Sequence, residues 1–445
     1  MPGGKIGIIE AVMLEKEITR LAKAIREAVT KYKAQSPVPT QRYAHVRRRD
    51  FSLKYHEDFA FGQFAPQRFE EDLWDWNDQQ RFAESVINGL EEYRSLVATL
   101  GPNASAVESF VRALSFASFR GLDDRELGEH VSALALELVG TPLPVTVTAF
   151  IDGLSISESP LVISNSLLLR RPTEEDVAEY VAVDEHGSHS FPPGEAWFRV
   201  IAEYVFDAVN TGVAQREFLR VVEALRLYRV GGIAANRYTM RSRHSFLHGR
   251  AAILSSPGRH SQFSYTLSGA DTTVLKTFLD QVAPLLPDPF EPDKGTTPSE
   301  IALTRYLDAL FQNGPPERTI TSTITALEAL FLDDRTELAH RLAQRVSVFL
   351  RLLGTQPDAQ KAYDEVKKGY TTRSKFVHGG SLKIQDRPQA ASSAPVLLDY
   401  ARTCLLAFFQ MAMPKGELLV QLDRAMIDPA SAIKLKTSLT SIAHK

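Results

Sequence analysis

Pro284-Leu-Leu-Pro-Asp-Pro-Phe-Glu-Pro292, followed by Thr297-Pro-Ser-Glu300, is the join on which the chain divides. Proline lacks a backbone N–H and fixes φ, so neither a helix interior nor a central strand crosses this run. The residues after it do the opposite. Thr297 is placed as an N-cap, Pro298 opens the first turn, and Glu300 stands three residues on. That pattern is a capping box, and it predicts a helix starting at 298.

Downstream of the join the apolar spacing is helical. Leu303, Tyr306, Leu307, Leu310 and Phe311 form one face, ending at Asn313-Gly314-Pro315. A second helix from about Arg318 to Leu332 carries Ile320, Ile324, Leu327 and Phe331. A third, from about Thr336 to Leu353, carries Leu338, Leu342, Val346 and Phe349. A short helix is expected from Pro357 to Lys368 and a strongly apolar one from Val396 to Phe409, with a break over 379–393. Short connections between such helices favour an antiparallel bundle.

Between the last two helices lies Tyr370-Thr-Thr-Arg373-Ser-Lys-Phe-Val-His378-Gly-Gly380. Arginine holds phosphate with a fixed charge, and histidine moves a proton near neutral pH. The pair suggests chemistry on a phosphodiester. A step of five residues leaves the two side chains about 140° apart on a helix. Gly379-Gly380 is expected to end the helix directly after His378, at the negative end of its dipole. Glu328 stands inside the apolar run Ala-Leu-Glu-Ala-Leu-Phe and calls for a partner. Arg373, Arg341 and Arg345 are the candidates.

Upstream of the join the character alternates. Ile6 to Lys33 reads as a helix, and 80–139 as three helices broken near Gly101 and Gly121. The basic run His45-Val-Arg-Arg-Arg-Asp50 reads as a solvated loop or ion-paired face, with phosphate contact as the alternative. Trp74 and Trp76 stand among acids and read as packing residues, and His130 as surface or structural. Val145–Ile151 and Leu161–Leu169 read as two strands joined by a turn. Thr173 is an expected N-cap, 197–208 alternates as a strand, and 215–228 is an amphipathic helix. Strand-like pieces near 232–240 and 262–267 and a helix over 271–283 complete an α+β region. Within it, Arg243-His-Ser-Phe-Leu-His248 repeats the Arg-x4-His spacing in strand-like surroundings. It is read as a basic surface run, with Arg241, Arg243 and Arg250 as candidate nucleic-acid contacts.

The chain thus reads as multi-domain, mainly α with an α+β middle and an all-α C-terminal bundle. The expected divisions are a helical region 1–140, a sensor-like α+β domain 141–284, a linker 285–297, the bundle 298–415 and a helical tail 416–445. The net charge of −3 carries no global nucleic-acid signature, so any such contact rests on a local patch. One cysteine, Cys404, excludes a disulfide framework and a cysteine-rich zinc site, and its apolar setting marks a core thiol. The apolar run at the start is too short for a secretory signal. No stretch reaches membrane-spanning length, and a cytoplasmic location is expected. No paired-acid or His-x3-His spacing supports a metal site, and no cofactor is expected.

Thr325-Ala-Leu-Glu-Ala-Leu-Phe331, Leu338-Ala-His-Arg-Leu-Ala-Gln-Arg-Val346 and the motif at 370–379 together resemble the HEPN superfamily, most nearly the ApeA-type HEPN domain of bacterial defence proteins. The resemblance covers about 297–413. It implies a bundle that forms a homodimer and sets two Arg-x4-His motifs face to face, cleaving RNA without metal. It makes His378 the general acid or base and Arg373 the stabiliser of phosphate charge. Glu328, Tyr370, Ser374 and Lys375 stand in supporting positions. Ser374 departs from the larger polar residue found there in many active relatives, and other relatives only bind nucleotides or partners. The function expected is a metal-independent endoribonuclease of an anti-phage or toxin-like system, whose N-terminal parts answer an unknown trigger. The alternative is a non-catalytic nucleotide- or RNA-binding scaffold.

Overall fold

The computed structural model describes residues 8–35, 41–56, 59–73, 76–101, 104–119, 121–173, 176, 195–198, 200–242, 251–254, 261–289, 297–312, 314–333, 338–380 and 382–439. It is mainly helical, with strands in its first and middle thirds. The chain forms two compact units. One comprises 1–150, 165–215 and 237–254; the other comprises 151–164, 216–236 and 255–445. The division therefore runs through 141–284 and does not follow the proline-rich join.

In the first unit, α1 (Ile8–Gln35) packs with α2 (Trp76–Gly89), α3 (Glu91–Leu100), α4 (Ala104–Phe119) and α5 (Asp124–Leu138). Ile18, Leu21 and Ile25 of α1 recur at helical spacing and are fully buried against Phe110, Leu114 and Leu134. Breaks fall at Gly101 and Gly121 as expected, and a further one at Leu90 makes four helices here, not three. The region is also not wholly helical. β1 (Gln41–His56) and β2 (Phe59–Leu73) pair antiparallel, with a register shift between Arg48 and Asp50. The basic run thus lies in a strand and not in a loop. The sequence alternates apolar residues at Phe51, Leu53 and Tyr55, the period of a strand, and these positions pair in register with Phe64, Gly62 and Ala60. Trp76 opens α2, and Trp74 lies outside the described residues.

The larger sheet of this unit contains β3 (Leu143–Asp152), β6 (Leu167–Arg170), β8 (Val200–Ala208), β9 (Ala234–Ser242) and β10 (Ala251–Leu254), in the order β10-β9-β3-β8-β6. β8 separates β3 from β6, so the expected hairpin of these two does not form. The chain between them is taken up by β4 (Leu154–Ile156) and β5 (Leu161–Val162). β7 (Glu195–Phe198) instead pairs antiparallel with β2. Thr173 N–H donates to Asp176 Oδ2 at 2.7 Å, and Asp176 N–H donates to Thr173 Oγ1 at 3.3 Å; the rest of the helix expected after Thr173 lies outside the described residues.

The second unit is the C-terminal bundle with pieces of the middle region built into it. Its helices are α7 (Thr272–Val282), α8 (Pro298–Phe311), α9 (Pro316–Phe331), α10 (Leu338–Leu353), α11 (Ala359–Val377), α12 (Arg387–Gln410), α13 (Lys415–Ala425) and α14 (Pro429–Leu439). The capping box at Thr297 and Glu300 forms in full. Phe331, Phe349 and Phe408 meet in the core with ring centroids 5.3–5.9 Å apart. Cys404 is fully buried, and burial pushes its thiol up. Here β4 pairs in parallel with β11 (Tyr265–Leu267). The C-terminal half of α6 (Thr211–Tyr228) docks on the bundle: Tyr306 Oη donates to Arg226 O at 3.0 Å, and Arg402 Nη1 to Leu227 O at 3.0 Å and Tyr228 O at 3.3 Å. Among the described residues no single helix is long and apolar enough to cross a membrane.

Two expectations for this unit are corrected. The short helix ending at Lys368 is in fact one helix running on to Val377. Gly369 does not break it; a Cβ there would lie 2.8 Å from Leu397 Cδ1 and 2.9 Å from Ile324 Cδ1, so the glycine permits close helix packing. The break over 379–393 is also shorter, because α12 begins at Arg387 with Pro388 in its first turn and passes through Pro395. Ala390 and Ala394 are buried there and Ser393 nearly so, which favours helix despite the second proline.

Arg345 is 2% exposed and ties three elements together. It donates to Phe331 O at 2.8 Å, Asp333 Oδ1 at 3.1 Å and both carboxylate oxygens of Asp423 at 2.8–2.9 Å. Arg345→Ala is expected to cost about 3 kcal/mol, at the low end for a broken buried pair because the two acids stay half-exposed. Arg345→Lys recovers little of this, since one ammonium cannot span these acceptors. Urea unfolding followed by circular dichroism reads both losses.

Candidate functional site

The Arg-x4-His motif lies at the C-terminal end of α11. Its helix stops in a Schellman turn: Gly380 N–H donates to Lys375 O at 2.8 Å and Gly379 N–H to Phe376 O at 3.1 Å. The turn needs a left-handed residue, and Gly379 supplies φ +80°. His378 is the C-cap residue, and its own N–H donates to Ser374 O at 3.2 Å. Its ring is exposed and makes no hydrogen bond or ion pair among the described residues. Val377, 54% exposed, and Ile384, 83% exposed, stand beside it in the chain.

Arg373 turns the other way, towards α9. Its Nη2 donates to Glu328 Oε2 at 3.3 Å, and its guanidinium lies 5.9 Å from the centre of the Tyr370 ring. Of the three arginines open to Glu328, Arg373 is thus the one used. Arg345 is committed to Asp333 and Asp423, and Arg341 reaches Asp423 at 3.8 Å. Burial raises the Glu328 carboxyl above its ordinary value, and the charge of Arg373 offsets part of that. Burial likewise raises the Tyr370 hydroxyl, helped by Glu328. Arg373 Nε is buried without a hydrogen-bond partner among the described residues. The cluster of Arg373, Glu328 and Tyr370 is therefore compact, partly desolvated and one donor short of satisfied.

The other named residues are scattered around it. Ser374 is half-buried, and Lys375 is exposed on the turn before His378. Arg241 is exposed on β9, in the other unit. Arg243, His248 and Arg250 lie outside the described residues. No group of three or more potential metal ligands occurs among the described residues.

A further set of side chains was hidden by ending the helix at Lys368. With α11 continuous, Lys361, Lys367, Lys368 and Lys375 fall within an arc of about 120° that includes His378, while Arg373 lies about 140° from the histidine. All four lysines are exposed, with Asp364 as the acid on the same arc. The sequence signal was the seven-residue spacing 361-368-375, which keeps a residue type on one helix face.

A carboxyl raised in the folded state binds its proton more tightly there than in the unfolded chain. Its contribution to stability is full below the unfolded value and is lost as pH rises through the folded one. Wild-type stability should therefore fall, relative to Glu328→Gln, as pH rises from about 4.5 towards 7. Urea midpoints of the two proteins across that range check the sign.

No family model matches the chain, and no match is found among curated proteins or solved structures.

Proposed function

We propose that the C-terminal bundle is a metal-independent endoribonuclease of a bacterial anti-phage or toxin-like system, acting as a homodimer. One observation carries this reading: on α11 the phosphate-binding group and the proton-transfer group point in different directions. Arg373 faces Glu328, and His378 faces solvent at a fixed helix end. Cutting a phosphodiester needs both functions at one phosphate. A second copy, seated on the exposed Val377 and Ile384, supplies the missing half of each site.

In that composite site His378 takes the proton from a ribose 2′-hydroxyl. The freed oxygen attacks the adjacent phosphorus, the bond to the 5′-oxygen breaks, and a histidine of the other copy returns a proton to that leaving oxygen. A cyclic phosphate and a 5′-hydroxyl result. Arg373, released in part from Glu328, balances the charge gathered on the phosphate. The first unit answers the trigger and restrains the bundle.

A second reading has its own support. The Arg373–Glu328 pair already neutralises the guanidinium, which suits a non-catalytic nucleotide- or RNA-binding scaffold.

The first reading predicts that purified protein degrades RNA in EDTA and that its expression arrests bacterial growth. His378→Ala should lower cleavage by about 10²–10⁴-fold, the contribution of a lost general acid–base. Undiminished cleavage by that variant overturns the assignment, and intact RNA with the wild type favours the scaffold.

A further inference from the structure

Beside the motif, on the flank of α11 that faces α12, lies a cleft of about 220 Å³. Ile320, Leu397 and Ala390 are buried around it, with Leu382 half-exposed; Thr372, Gln389 and Ser393 supply polar groups. Lys368 and Lys375 stand at its rim. Drug-sized ligands need about 300–1,000 Å³, so this cleft admits one small moiety and not a whole nucleotide. Glu365 also lines it, and Glu365 Oε2 is buried with no hydrogen-bond partner among the described residues. A buried acceptor without a donor calls for one from outside the chain.

The lysines outside the cleft define what that moiety is attached to. Lys361, Lys368 and Lys375 repeat every seven residues, about 10.5 Å apart along the axis, and Lys367 lies beside them. Lys361, Lys368 and Lys375 make no ion pair with any described residue. Four lysines against Asp364 on the arc and Asp386 at the cleft leave a net basic ridge in a chain of net charge −3, a footprint for a polyanion. It shares its arc with His378.

We infer that the ridge tracks the backbone of single-stranded RNA and that the cleft takes one unstacked base carrying an amino group. The exocyclic amino group of adenine, cytosine or guanine donates to Glu365; uracil offers only its ring N3–H, which lies between two carbonyl oxygens that repel a carboxylate. A duplex keeps its bases stacked and cannot deliver one into the cleft. The inference rests on the RNA-directed reading above and adds to it the strand type and the base preference. It does not need cleavage.

The test is fluorescence anisotropy with the full-length His378→Ala protein, which holds substrate without turnover, and labelled rA10, rC10 and rU10. The expected result is binding of rA10 and rC10 about tenfold tighter than rU10, the worth of one hydrogen bond to a charged group. Affinity should fall with salt at a slope of about −2 to −3, from some 0.7 per neutralised phosphate. Adding Lys368→Ala and Lys375→Ala should reduce the slope by about 1.4. Glu365→Ala should abolish the base preference while leaving the slope, and Ser393→Leu should do the same by filling the cleft. Equal affinity for the three strands, a slope indifferent to the lysines, or equal binding of a duplex overturns the inference. Wild-type cleavage in EDTA without base preference removes the cleft and leaves the nuclease standing. Base preference without cleavage does the reverse.

Discussion

The bundle depends on cations placed against the carbonyl ends of helices. The last carbonyls of a helix have no partner within it and carry the negative end of its dipole. Here that deficit is met from other elements. Arg402, nearly buried, closes α6 through Leu227 O and Tyr228 O and is itself held by Asp399 at 2.7 Å. Arg345 and Lys415 close α9, the lysine donating to Ala329 O at 2.7 Å and Leu332 O at 2.6 Å. Burial lowers the Lys415 ammonium below its ordinary value, so this charge is kept against desolvation. In the first unit Lys33 Nζ does the same for Phe119 O at 2.9 Å. Such contacts join elements far apart in sequence, which is why α6 belongs with a bundle that begins some seventy residues later.

That dependence also sets what the sequence disclosed. The bundle was legible because its evidence is local: a capping box at Thr297, apolar stripes at helical spacing, a glycine pair closing α11. The pairing of Glu328 was narrowed to three arginines and no further, because choosing among them requires knowing which helix faces α9. The continuity of α11 past Lys368 was not legible either, because the close packing of Gly369 on Leu397 and Ile324 is a long-range contact. The pairing of β1 and β2 was not legible because the run His45–Asp50 carries no period-two apolar pattern and a register shift between Arg48 and Asp50 breaks the alternation. The separation of β3 from β6 was not legible at all, since strand order is fixed by long-range pairing.

For the site, helical spacing already set Arg373 and His378 about 140° apart, but which neighbours each side meets was not legible. Arg373 and His378 occupy opposite sides of α11. Each side has its own character: a desolvated cluster of Tyr370, Arg373 and Glu328 on one, an exposed lysine ridge with the histidine on the other. Under the proposed function the two sides would meet at one phosphate only across two copies of the chain.

The absent side chain of Gly369 bears on this. With Leu397 and Ile324 pressed against its backbone, α11 has one rotational setting about its own axis. Turning the helix by a single residue would drive Lys368 or Tyr370 into that contact, where neither fits. The direction in which the lysines face solvent, and in which Arg373 faces Glu328, is thus keyed by a missing methyl group, as a notch fixes the orientation of a shaft.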